Sequence, residues 1–226
     1  MIKFNNVSVH YGCDEAETIA LNNVSFEITK GEFVTIIGKS GSGKTTLLNV
    51  LGGITKPTTG NYYFEGNNIA NYNDRQISSY RNEKISFIVQ HFALIQNFDV
   101  ITNICIPLKY RRNKKIPKKA YIYEVMDKLG ILDYEYNFPY ELSGGEQQRV
   151  AICRSIISDT DIILADEPTG ALDEENGNNI IELLKDLNKA GKTIIMVTHD
   201  LELAKIGNHR ITMKDGKIVA EEFTTD

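Results

Sequence analysis

The sequence predicts an α/β protein: a sheet core built around one glycine-rich loop, with an N-terminal antiparallel β subdomain and an inserted α-helical subdomain. Three observations carry this. Gly38-Lys39-Ser40-Gly41-Ser42-Gly43-Lys44-Thr45 stands between a β-branched apolar run, residues 33 to 37, and a stretch at helical spacing that begins at Thr46. Two short strand-like runs precede it. From His91 to Glu141 the β-rich pattern gives way to a mostly helical one. A chain of 226 residues can bury one substantial core. The expected layout is a single domain over 1–226, with the β-rich core in 1–90 and 160–226 and the helical subdomain in about 91–159.

Residues 2 to 11 and 19 to 28 read as two strands, the second alternating in Leu21, Val24, Phe26 and Ile28, and the polar stretch between them makes a β-hairpin. Tyr11 ends the first strand, where its ring can stack on a nucleotide base or simply close the strand. In the glycine loop the backbone is free to curl so that N–H groups face phosphate oxygens, and the following helix adds the positive end of its dipole. Gly, four residues, then Gly-Lys-Thr is the spacing of a triphosphate-binding loop. Lys44 is expected to reach the β- and γ-phosphates, and Thr45 to place its hydroxyl on Mg²⁺.

Gly52-Gly53 and residues 57 to 60 mark a break, and residues 61 to 64 form a strand that turns at Glu65-Gly66. Residues 85 to 89 are a buried strand with Gln90 at its C-terminal end. Ligands of parallel sheets gather there, so Gln90 either approaches a metal or an attacking water, or is a plain surface glutamine. In the helical region, residues 120 to 129 are the clearest amphipathic stretch, stopped by Gly130. Lys109, Arg111, Arg112, Lys114, Lys115, Lys118 and Lys119 cluster around Pro117 and read as a solvated loop and helix start, with lipid headgroups or nucleic acid as the other reading. Phe92, Leu94, Ile95, Phe98 and Ile101 form an apolar run that marks a partner site if part of it is exposed.

Leu142-Ser143-Gly144-Gly145-Glu146-Gln147-Gln148-Arg149 opens a helix, with Ser143 as N-cap and Glu146 completing a capping box. The N–H groups of Gly144 and Gly145 make a second anion site. One chain with one phosphate loop has no obvious need of it, which points to a dimer. Residues 161 to 165 form a buried strand ending in Asp166-Glu167. Two adjacent carboxylates there are costly to desolvate unless they face a metal or a reacting water. Asp166 suits the Mg²⁺ shell, leaving Glu167 to orient or deprotonate water. After a helix over about 176 to 189, the strand 193 to 197 delivers Thr198-His199-Asp200, and this placement makes His199 a candidate contact of the γ-phosphate. Residues 210 to 219, turning at Asp215-Gly216, read as a closing hairpin.

The 42% hydrophobic content is that of a globular protein. No apolar stretch approaches the roughly 18 to 20 residues that cross a bilayer, and no leader precedes Ile2, so a cytoplasmic location is expected. Cys13, Cys105 and Cys153 are widely separated, lack metal-ligand spacing and read as reduced thiols. A net charge of −5 argues against a nucleic-acid binder.

The ordered set Tyr11, Gly38 to Thr45, Gln90, Leu142 to Arg149, Ile162 to Glu167, Ala171-Leu172-Asp173 and His199 resembles the ATP-binding subunit of ABC transporters, across essentially the whole chain. Within that family, Gly31-Glu32-Phe33, residues 48 to 53 and residues 166 to 173 look like the group serving macrolide export, lipoprotein release and antimicrobial-peptide resistance. The resemblance implies a P-loop NTPase (RecA-like) core. By it, Tyr11 stacks on adenine, and Gly38, Lys39, Ser40, Gly41, Ser42, Gly43, Lys44, Thr45 and Thr46 wrap the phosphates. Thr45, Gln90 and Asp166 hold Mg²⁺, Glu167 is the catalytic base and His199 clamps the γ-phosphate. Ser143, Gly144, Gly145 and Glu146 cap the ATP of the other subunit, and Asp173 communicates across the dimer. The resemblance further implies a homodimer in the ATP-bound state, integral membrane permease subunits as partners, no nucleic acid, and a place on the inner face of the cell membrane. Lys39 stands where many relatives carry proline, which adds charge but removes no N–H. Thr102 stands before Asn103 where relatives often carry glutamate, in the region where a permease docks. The rival readings are an ABC-type ATPase that works outside transport, in iron–sulfur assembly or cell division, and a degenerate binding module, against which Glu167 and His199 argue. A DNA-repair ATPase would need a long coiled coil that this chain lacks.

Overall fold

The structure is a computed structural model, and it describes residues 1–12, 17–89, 92–111, 117, 119–170 and 172–224. Strands β1 (Ile2–Tyr11) and β2 (Thr18–Ile28) pair antiparallel, as their alternation predicts, with Phe4 opposite Phe26 and Tyr11 opposite Thr18. On the other side of β1 lies β4 (Thr59–Phe64), followed by the two-residue β5 (Asn67–Asn68), giving a four-stranded antiparallel sheet in the order β2-β1-β4-β5.

The second sheet is built from the short apolar runs. Its strands are β3 (Phe33–Ile37), β6 (Ile85–Ile88), β7 (Ile162–Asp166), β8 (Thr193–Val197), β9 (His209–Lys214) and β10 (Lys217–Phe223), in the order β10-β9-β3-β8-β7-β6. The five strands β9, β3, β8, β7 and β6 run parallel, and β10 returns antiparallel as the closing hairpin.

Because successive side chains of a strand point to opposite faces, this sheet divides its residues between two cores. Val34, Ile36, Ile162, Leu164, Ile195, Val197, Ile211 and Met213 pack toward the antiparallel sheet and α1 (Lys44–Leu51). Phe33, Ile88, Ile163, Ala165, Ile194 and Met196 pack toward the helical side, formed by α3 (Val100–Lys109), α4 (Lys119–Lys128), α5 (Gly144–Ile157) and α6 (Glu174–Lys189). Strands covered on both faces must read as continuous apolar runs, which explains why these do.

Two α-helices are absent from the reading of the sequence, the longer one described next and the short one that follows β8. α2 (Asp74–Lys84) is almost wholly polar, with Tyr80 its one buried residue, so it carries no apolar stripe. It is held at its start by a capping box between Asn73 and Gln76, and in its middle by Tyr80, whose hydroxyl donates to the Leu51 carbonyl at 3.1 Å. The helix expected from about 176 begins at Glu174, capped by Asp173, and the short α7 (Leu201–Ala204) follows β8. Of the basic cluster, Arg112, Lys114, Lys115 and Lys118 lie outside the described residues. No helix among the described residues is long and apolar enough to cross a membrane.

Candidate active site

Strand order places the chemistry. β3, β8 and β7 are neighbours, and Val197 pairs with both Ile36 and Asp166, so the three strands end level with one another. The glycine loop, the Asp166-Glu167 pair and His199 therefore leave the same edge of the sheet, the carboxyl edge, where parallel sheets hold ligands. Segments as far apart in sequence as Gly38 and His199 become one site.

The loop is shaped by close packing against backbone. A Cβ on Gly38 would lie 2.4 Å from the Met213 carbonyl oxygen, and one on Gly43, whose φ is 99°, would lie 2.5 Å from the Ala20 carbonyl oxygen. Only glycine fits either position. Ser42 N–H donates to the Lys39 carbonyl at 3.1 Å, and Lys44 Nζ donates to the carbonyls of Gly38 at 2.7 Å and Lys39 at 2.9 Å, so the loop curls around its own lysine. α1 starts at Lys44 with Gly43 as N-cap and no side-chain cap, which leaves the N–H groups of its first turn for an anion.

Facing the loop, Thr45 Oγ1 donates to Asp166 Oδ2 at 3.2 Å. Glu167 holds a left-handed backbone, φ 48°, a conformation that costs a non-glycine residue about 1 kcal/mol. It is fixed there by its N–H donating to the Val197 carbonyl at 3.0 Å, and by Gly170 N–H donating to its own carbonyl at 3.1 Å. The turn brings Glu167 Oε1 to 2.9 Å from His199 Nδ1, with the glutamate side chain 21% exposed and the imidazole 73% exposed. Backbone strain held by such bonds is characteristic of functional turns. Thr18, Ile19, Ala20, Ser40, Gly41, Gly43, Lys44, Thr45, Thr46, Asp166, Glu167 and His199 line one cleft of 550 Å³. The oxygen donors Thr45 and Asp166 are hard ligands of the kind Mg²⁺ takes, and that ion needs few of them from protein when phosphate supplies the rest.

The structure thus brings together the loop, both carboxylates and the histidine. Sequence reasoning missed the opposite wall, Thr18, Ile19 and Ala20 of β2. Tyr11 is not among the residues that line the cleft, but it pairs with Thr18, which is, and its hydroxyl lies 3.5 Å from Thr55 Oγ1. Gln90 lies outside the described residues, as does Ala171. Ser143, Gly144, Gly145, Glu146 and Asp173 are likewise not among the lining residues. Ser143 caps α5: its N–H and hydroxyl donate to Glu146 Oε2 at 2.7 and 2.8 Å, and this holds the glutamate carboxyl below its usual range. Asp173 caps α6, and the Asn176 N–H at 2.9 Å keeps its carboxyl low as well. Two links were not foreseen. The buried Gln148 of α5 donates its amide to the Pro168 carbonyl, beside Glu167. Asn103 is fully buried; its amide donates to the carbonyls of Ile95, Phe98 and Asp99, and its oxygen accepts from Ile95 N–H, which knots the loop before α3.

The chain as a whole is similar to known proteins. Residues 21–170 match the family model described as ABC transporter. The chain is 41% identical over 219 residues to a protein of Mannheimia succiniciproducens named macrolide export ATP-binding/permease protein MacB, covering 97% of this chain but about a third, 34%, of that protein. It is 41% identical over 227 residues to the uncharacterized ABC transporter ATP-binding protein MJ0796 of Methanocaldococcus jannaschii, covering 98% of this chain and 97% of the relative. The solved dimer of MJ0796 in a post-hydrolysis state, bound to ADP and Pi, superposes with a TM-score of 0.94 at 38% identity over the whole of both chains. The chain belongs to the ABC transporter family, of which it is the ATP-binding domain.

Proposed function

We propose that this ATPase domain hydrolyses ATP between two head-to-tail copies of itself, and that closing and reopening of the pair drives a membrane permease of the export type. The observation that carries the reading is the convergence of the uncapped α1 start, the Thr45–Asp166 pair and the Glu167–His199 pair on one cleft. The loop 38–46 cradles the triphosphate through backbone N–H groups, and Lys44 exchanges its carbonyl partners for the β- and γ-phosphates. Thr45 and Asp166, with Gln90, would hold Mg²⁺, which supplies charge neutralisation of the β- and γ-oxygens. Glu167 takes a proton from water as the water oxygen attacks the γ-phosphorus. The bond from that phosphorus to the bridging oxygen breaks, releasing ADP and phosphate. His199, held by Glu167, contacts the γ-phosphate, and Tyr11 stacks on adenine.

Ser143, Gly144, Gly145 and Glu146 lie outside their own chain's cleft, and this supports their capping the ATP of the partner copy, with Asp173 at the same seam. For the permease, two features support a docking region on the helical side. Ile95 and Phe98 are exposed, with Lys109 Nζ 5.9 Å from the Phe98 ring centre, and a cavity of 440 Å³ opens between α2, β6, α3 and α5, lined by Arg81, Phe87, Tyr110 and Arg154 among others. We take 1–90 and 160–226 as the catalytic core and about 91–159 as the part that meets the permease at the inner face of the membrane.

The shared site is tested by mixing Ser143→Arg chains with Lys44→Ala chains. Each mixed dimer holds one site with both lesions and one with an intact loop facing an intact Ser143, so phosphate release is expected to return in the mixture and not in either variant alone. No recovery, with heterodimers formed, rejects the shared site with independent halves.

A further inference from the structure

The phosphate loop touches the C-terminal hairpin, a segment that has no part in the chemistry above. The β9–β10 turn has Asp215 at φ 50° and Gly216 at φ 73°. Gly216 N–H donates to the Ser42 carbonyl at 3.1 Å, and its own carbonyl accepts from Asn22 N–H, on β2, at 2.8 Å. The turn is therefore a hydrogen-bonded bridge between the loop and the opposite wall of the cleft. Packing points the same way. A Cβ on Gly216 would stand 2.9 Å from the Ala20 carbonyl oxygen and 3.2 Å from its carbon, and the same carbonyl is wedged against Gly43. On the strand leading into the turn, the Met213 carbonyl closes on Gly38. Ala20 and Gly43 both line the cleft.

We infer that the Asp215-Gly216 turn positions the phosphate loop against β2 and so sets the affinity of the site for nucleotide, without touching nucleotide itself. The inference rests on the reading of loop 38–46 as the ATP cradle. Its physical content is spacing. Ser42 is held from one side and Asn22, next in the strand to the close-packed Ala20-Leu21, from the other, through one residue that has neither a side chain nor a free peptide group. Any side chain at Gly216 must push against backbone, which cannot rotate out of the way, and the displacement falls on a cleft wall.

The chain supplies its own control. The Glu65-Gly66 turn has closely similar φ values, 49° and 81°, but a Cβ on Gly66 meets nothing within 4 Å. Gly66→Ala thus carries backbone strain alone, whereas Gly216→Ala carries similar strain plus the contact with Ala20. The experiment measures equilibrium binding of ATP and ADP, and the KM and kcat of hydrolysis, for wild type and both variants. A shift of a few tenths of an ångström in a pre-organised cradle is expected to weaken nucleotide binding about tenfold in Gly216→Ala. Its kcat at saturation stays within about threefold of wild type, because the Glu167 turn is untouched. Gly66→Ala binds as wild type does. Equal behaviour of the two variants overturns the inference, since strain in a hairpin would then explain everything. If Gly216→Ala does not fold, hydrogen exchange on the wild type decides: the Gly216 and Asn22 amides are expected to slow when ADP is added, while the β4–β5 turn does not change. No added protection there also overturns it. A wild type that binds no nucleotide refutes the ATP reading itself, which is a separate result.

Discussion

Replacing Glu167 by glutamine isolates one function of one carboxylate. The side chain keeps its length and an oxygen within reach of His199 Nδ1, now 2.9 Å from Oε1, but loses the ability to accept a proton from water. The left-handed backbone is unaffected, because the bonds that fix it run through main-chain atoms, to the Val197 carbonyl and from Gly170 N–H. Stability should hardly move: the imidazole is 73% exposed, and such a pair is worth at most about 1 kcal/mol. Turnover should collapse. A positioned general base contributes about 10²- to 10⁴-fold, and at 1.36 kcal/mol per factor of ten the barrier rises by about 2.7 to 5.4 kcal/mol. Phosphate release under saturating ATP is the assay, with nucleotide binding and size-exclusion chromatography beside it. The variant is expected to bind ATP normally and to accumulate as an ATP-loaded dimer. Turnover within about threefold of wild type would falsify the assignment of Glu167 as base, and lost ATP binding would show that it serves the cradle instead.

Tyr11→Ala is expected to weaken adenine nucleotides about tenfold, as loss of a ring stacked on a base does, with kcat at saturation unchanged; unaltered affinity returns Tyr11 to a strand-end packing role. Phe98→Glu should abolish capture by the permease while leaving basal hydrolysis intact, read by membrane co-sedimentation beside phosphate release, and undiminished capture removes Phe98 from the interface. Glu146→Gln tests the α5 cap through pH. Bonds from Ser143 hold the Glu146 carboxyl below its ordinary value of 4.5, so its contribution to stability is present above that pH and is lost as pH falls through the lower folded value. At this partly buried helix start the charge is worth about 0.5 kcal/mol. Denaturation midpoints of wild type and Glu146→Gln should therefore differ at pH 7 and converge as pH falls well below 4.5, and a difference that does not shrink on acidification refutes the cap as its source.

How much of this could be read from the chain depends on whether a feature is local. The strand before Asp166 is continuous and apolar because both faces of β7 are covered, and two acids after such a run have few places to go, so the pair was legible together with the loop. The Ser143–Glu146 cap was legible for the same reason, since its two halves lie three residues apart. The wall formed by Thr18, Ile19 and Ala20 was not. Those residues enter the cleft through the close approach of Ala20 to Gly43, and nothing local encodes it. α2 was hidden because its apolar residues, Ile77 and Tyr80, are too few to form a stripe; its anchor is the buried contact of Tyr80 with the end of α1. Asn103 looked like one polar residue in an apolar stretch. Its four bonds to the backbone of residues 95 to 99 exist only once that loop has folded over it.

The same distinction explains why α5 matters beyond its first turn. Ser143, Gly144 and Gly145 stand at its start, where the reading places the partner's ATP. One turn on, Gln148 is buried and bonded to the Pro168 carbonyl, next to the strained Glu167. Further along, the Arg154 guanidinium donates at 2.8 Å to the carbonyls of both Ala93 and Phe92, two consecutive residues with φ 48° and 53°. Burial draws the arginine below its usual pKa, and the bonds to two carbonyls offset part of that desolvation. One helix therefore carries Ser143 to Gly145 at its start and touches the turn of Glu167 and the segment that leads from β6 toward α3. On the reading of Ser143 to Gly145 as a cap for the partner's ATP, a shift of this N-terminus would reach Pro168 and Phe92-Ala93 through the helix. Two side chains, Gln148 and Arg154, would then link the proposed dimer seam to the helical side of the molecule, and a rotamer change at either one would cut that link.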